Sequence, residues 1–128
     1  MDHAPSFNLV QDFIKRKRNV FISAHSLAEC YSTLTTYPNV PRITPEGAER
    51  LIRENILPLF QIIDLSVKDY RQAIQRVKER ALRSGAIYDA LIYQAAVKKN
   101  IRTLYTWNTE DFLRLADPDI RILSPESL

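Results

Sequence analysis

The chain has 128 residues, 45% of them apolar and 26% charged, enough for one compact domain with its own core. Eighteen Lys and Arg against fifteen Asp and Glu leave a net charge of +3, a mild bias toward polyanionic partners that identifies none of them. The single Cys30 excludes an internal disulfide framework, no apolar run reaches membrane-spanning length, and MDHAPSFN lacks the pattern of a secretory signal, so a cytoplasmic protein is expected.

Phe7, Val10, Phe13 and Ile14 recur at helical spacing and predict a helix over 5–17. The basic run KRKR at 15–18 closes it and reads as a solvated face, not as an RNA patch. NVFIS at 19–23 is short, β-branched and aromatic, which suits a buried parallel strand. A helix over 24–36 follows and ends near YPNVPR, where two prolines mark a turn. TPEGAERLIRENI opens the next helix with Thr44 as cap, Pro45 at the first helical position and Glu46 in the first turn.

LFQIIDL is the second strand, and SVKDYRQAIQRVKERALRSG an amphipathic helix whose apolar stripe is Tyr70, Ala73, Ile74, Val77 and Ala81. Gly85 marks the break after it. SGAIYDALIYQAA at 84–96 is a helix with almost no polar face, which predicts burial on most sides. IRTLYT, NTEDFLRLA and IRILS complete the chain as strand, short helix and strand. Strands alternating with helices indicate an α/β fold, a mostly parallel sheet covered on both faces. The two glycines form no phosphate-cradling loop, which excludes the common nucleotide-binding motifs.

In parallel sheets ligands collect beyond the carboxyl ends of the strands, so acids there come first. Asp89 is the most conspicuous, a carboxylate early in the apolar helix. Helix-end electrostatics would favour a charge there by roughly 0.3 to 1 kcal/mol, which leaves a local and a functional reading equally open. Glu29, one helical turn from His25 and Thr33, reads by itself as a surface residue. YTWNTEDF places Thr106, Asn108, Glu110 and Asp111 just after the third strand, where Asn108 by itself reads as a cap and Asp111 falls in the first turn. Carboxylates and an amide oxygen in one crevice are hard ligands for Mg²⁺ or Mn²⁺, ions that activate water and offset charge on a phosphodiester.

VFISAHSLAECYSTLT and SGAIYDALIYQAAVKKNIRTLYTWNTEDFLRL, with the helices between, resemble the PIN-domain ribonucleases, most closely the VapC-type toxins of toxin-antitoxin pairs. The resemblance implies a small parallel sheet flanked by helices and a metal-dependent endoribonuclease. By position it makes Glu29, Asp89 and Asn108 catalytic metal ligands, with Asp111 sharing the work of the last and Thr106 contacting phosphate or steadying a ligand. It further implies an antitoxin partner and a homodimer.

One departure stands out. The family's first, central strand with its first Asp does not match anything here, so a PIN-like domain over 1–128 that starts after that strand is expected, and an upstream start codon accounts for this best. A degenerate gene, or a partner chain that supplies the strand, would produce the same departure. Asp2 is not taken as the missing ligand, because MDHAPSFN resembles the polar loop that follows the strand. The alternative function is a catalytically dead PIN-like module that engages an antitoxin or RNA, and the bland one an unrelated α/β scaffold.

Overall fold

The β-branched run after Asn19 folds as strand β1, Phe21–Ser23, and the chain turns from it directly into helix α1, Ala24–Thr36. The buried Ser23 makes this tight junction: its Oγ accepts the Ser26 N–H at 3.1 Å and bonds the Ser26 Oγ at 2.9 Å. The computed structural model describes residues 20–36 and 42–127. The helix expected over 5–17, its KRKR end, Asp2 and the turn at YPNVPR lie outside the described residues, apart from Arg42 of that turn.

Helix α2, Pro45–Leu51, starts as its sequence predicts, with the Thr44 side chain accepting the Gly47 N–H at 3.0 Å. A π-helical turn, Ile52–Ile56, extends it toward β2, Gln61–Ile63. Helices α3, Val67–Glu79, and α4, Ala86–Lys98, form the most extensive helix pair. Strand β3, Thr103–Tyr105, helix α5, Thr109–Leu113, and strand β4, Arg121–Leu123, follow. Among the described residues the strands make two parallel pairs, β1 with β2 and β3 with β4, so the expected α/β fold with parallel strands is observed as two short ladders.

α4 is the spine of the molecule. Its Tyr93 and Ala96 pack with Leu104, Phe112 and Ile120, whereas its Ala90 and Leu91 pack with Ala73 and Leu115. A helix shared by two apolar clusters needs apolar residues on nearly every side, and this one has them.

The stripe expected on α3 needs correction. Ala73 is fully buried, but Tyr70 and Ile74 are 45% and 54% exposed, and Ala81 lies beyond the helix, in left-handed backbone with φ 54°. The buried side carries Asp69, Ala73 and the partly buried Arg76 and Val77 instead. Polar groups can face inward there because most of their donors and acceptors meet partners, the buried Arg76 Nε excepted. Asp69 Oδ2 accepts the Ser66 N–H at 2.8 Å, the Ser66 Oγ–H at 2.9 Å and Lys98 Nζ of α4 at 3.0 Å. Arg76 Nη1 donates to the Leu115 carbonyl at 3.0 Å and to Asp117 Oδ2 at 2.9 Å, with its guanidinium 4.5 Å above the Tyr93 ring.

The Ser66 N–H foremost, then Lys98, hold the Asp69 carboxyl far below the usual carboxylate value. The group therefore adds stability above the ordinary value of 3.8, and that stability is lost as the pH falls below it. Asp69→Ala takes the acceptor from the Ser66 donors and leaves Lys98 Nζ with the Asp64 carbonyl at 2.8 Å, and is expected to cost about 1–3 kcal/mol in urea unfolding at neutral pH. The gap to the parent should narrow in acid; a constant gap down to about pH 2 would refute the assignment.

Candidate active site

Three helices bring the predicted acids toward one another. Glu29 comes from α1, Asp89 from the first turn of α4 and Asp111 from the first turn of α5. Asp89 is partly buried, and its carboxyl is pushed above the usual range by burial first, then by the negative charges of Asp111 and Glu29. Arg114 and His25 counter the shift without cancelling it. The carboxylate in the apolar helix is therefore held against like charges from two other elements.

Glu29 is exposed, as its own reading predicted, with 52% of its side chain open, and its Oε1 lies 2.9 Å from His25 Nε2. His25 in turn stacks on Tyr88, the ring centroids 5.5 Å apart and the planes 6° from parallel. Asp111 Oδ1 accepts from Arg114 Nη2 at 2.8 Å. Tyr88 and Arg114 are not among the site residues expected from the sequence, and His25 enters there only as a neighbour of Glu29. The i,i+3 spacing of Asp111 and Arg114 was a readable signal; the His25–Tyr88 contact, between two helices far apart in sequence, was not.

The loop after β3 is pinned by the Thr106 N–H, which donates to the Leu123 carbonyl of β4 at 2.9 Å. Thr106 Oγ1 then accepts the Asn108 N–H at 3.0 Å. Asn108 occupies the cap position of α5, yet its side chain makes no capping hydrogen bond, so the simple cap reading does not account for the amide. Asp111 falls in the first helical turn, as expected.

In kind, these donors suit a hard divalent ion: carboxylate oxygens on separate helices, the Asn108 amide at the start of α5, and excess negative charge around Asp89. In arrangement they are looser. Among the described residues no three acidic, His or Cys side chains meet closely enough to chelate an ion. Nor, among those residues, is any helix long and apolar enough to cross a membrane.

The PIN domain family model matches residues 2–118. Ribonuclease VapC27 of Mycobacterium tuberculosis is 34% identical over 82 residues, which span 63% of this chain and 57% of that protein. Two solved structures share the fold at 23% identity. VapBC2 from Rickettsia felis, bound to a DNA fragment from their promoter, matches with a TM-score of 0.62 over 94% of this chain and 85% of that one. FitAcB from Neisseria gonorrhoeae matches with a TM-score of 0.59 over 86% of this chain and 78% of that one. With a family model spanning nearly its whole length, and with the likeness to VapC-type proteins expected from its motifs, the chain belongs to the PIN-domain family.

Proposed function

We propose that the protein is a VapC-type endoribonuclease that hydrolyses RNA phosphodiesters with the help of Mg²⁺ or Mn²⁺. The observation that carries this reading is the Asp89 carboxyl, partly desolvated and within the field of Glu29 and Asp111, a residual negative charge that a divalent cation would offset. Glu29, Asp89 and Asn108 are the proposed ligands, with Asp111 beside them. A bound Mg²⁺ or Mn²⁺ supplies Lewis acidity and an activated water.

The chain's own groups do the rest. Thr106 Oγ1 already accepts the Asn108 N–H, so its own proton is directed elsewhere, and a phosphate oxygen is the acceptor we assign to it. Arg114, 57% exposed at its side chain, attracts the anionic backbone toward the acids. A cytoplasmic setting and an antitoxin partner accompany this reading. So does a homodimer, supported by the apolar row of Val67, Tyr70 and Ile74, which are 77%, 45% and 54% exposed along α3. A monomeric mass in light scattering at micromolar concentration would remove the dimer from the proposal.

A second reading, a catalytically inactive module that captures an antitoxin or RNA, is favoured by the lack of a chelating trio among the described residues. Incubation with single-stranded RNA separates the two. Cleavage that requires Mn²⁺ and stops with a chelator is the result expected; intact RNA under saturating Mn²⁺ would leave only the binding module.

A further inference from the structure

Tyr88 is a large aromatic side chain left 56% exposed on the first turn of α4, immediately before Asp89. Burial does not explain it, since the core runs along other faces of the same helix. Its ring is nevertheless held: His25 of α1 lies parallel to it at 5.5 Å, and His25 is itself fastened to Glu29 at 2.9 Å. An exposed ring braced from one side has lost rotamer freedom before any ligand arrives, which lowers the ordering cost of binding on it. The brace also ties the ring to two of the proposed ligands, Glu29 through His25 and Asp89 through the helix backbone.

Flat, braced, partly exposed rings beside an anion-handling site are what single-stranded nucleic acids use. Every nucleobase has a π face, and stacking on an aromatic side chain is tolerant of sequence. We propose that Tyr88, supported by His25, is a stacking platform for one unpaired base of single-stranded RNA, next to the phosphodiester that the acids address. This rests on the ribonuclease reading and adds to it a substrate requirement, a base that is free to leave its own stack. A base inside a duplex cannot reach the ring without being unstacked, so paired RNA is disfavoured at this position.

The test is binding, measured on the whole chain in metal-free buffer by fluorescence anisotropy. Two probes are compared, a labelled single-stranded oligoribonucleotide of mixed sequence and an abasic ribose-phosphate oligomer of the same length. Tyr88→Leu is expected to weaken the base-containing strand about tenfold while leaving the abasic strand bound as by the parent, and Tyr88→Phe to restore tight binding. Equal affinity of parent and Tyr88→Leu for the base-containing strand overturns the platform. Loss of both strands together overturns it as well, since that would mark a general disturbance of the surface. The outcome is separable from the ribonuclease reading: base-dependent binding without metal-dependent cleavage would sink the enzyme and keep the platform, and the reverse pattern would do the opposite.

Discussion

Asp89→Asn is expected to lower kcat/KM for Mn²⁺-dependent RNA cleavage by at least about 100-fold, since even groups that only orient a metal's ligands contribute about 10- to 100-fold. The same substitution should raise the thermal midpoint in metal-free buffer at neutral pH. The sign follows from the shift. Folding raises the Asp89 carboxyl above its ordinary 3.8, so stability from this group is greatest below that value and is lost as the pH rises through the folded one. Asn carries no charge to desolvate or to set against Asp111 and Glu29, and escapes the loss. Added Mn²⁺ should stabilise the parent and leave the variant unmoved. Unchanged cleavage by the variant, or a midpoint that falls without metal, would count decisively against the assigned role.

The largest effect on the fold is expected at Tyr93. Its ring is 1% exposed in the cluster with Leu104, Phe112 and Ile120, its hydroxyl accepts the Asp117 N–H at 2.8 Å, and the Arg76 guanidinium lies on its face. Tyr93→Ala removes all three and opens a cavity in the core, with an expected cost of about 3–5 kcal/mol in urea unfolding. Tyr93→Phe keeps the packing and the cation–π contact and loses only the acceptor, for about 1 kcal/mol. Similar losses in the two variants would show that the hydroxyl, and not the ring, holds this part of the molecule together.

Local chemistry made much of the fold readable. Thr44 caps the helix that follows it, and α1 runs from Ala24 to Thr36 as its flanks predict, whereas the Ser66–Asp69 capping box of α3 appears only in the structure. The strands were found by their apolar runs but proved shorter, three residues each, because ladder length depends on the partner strand and not on the run itself. The face of α3 was misread for a related reason. A polarity pattern places Asp69 and Arg76 outside, and only their partners on α4 and before β4 make the inward face tolerable. The end of α3 was misplaced too, since Ala81 and Ser84 take left-handed backbone while Gly85 does not.

At the site, Asp89 was visible because a carboxylate conflicts with its apolar neighbours, a contradiction within a few residues of chain. His25 and Tyr88 carry no such contradiction. Their meaning appears only when α1 and α4 lie side by side.

The shared spine has a further consequence. Asp89 rides on a helix that, among the described residues, packs into both apolar clusters, so the proposed chemistry has no hinge of its own on which to loosen. Working geometry and cohesion of the whole body become a single property, and heat should extinguish them in the same step.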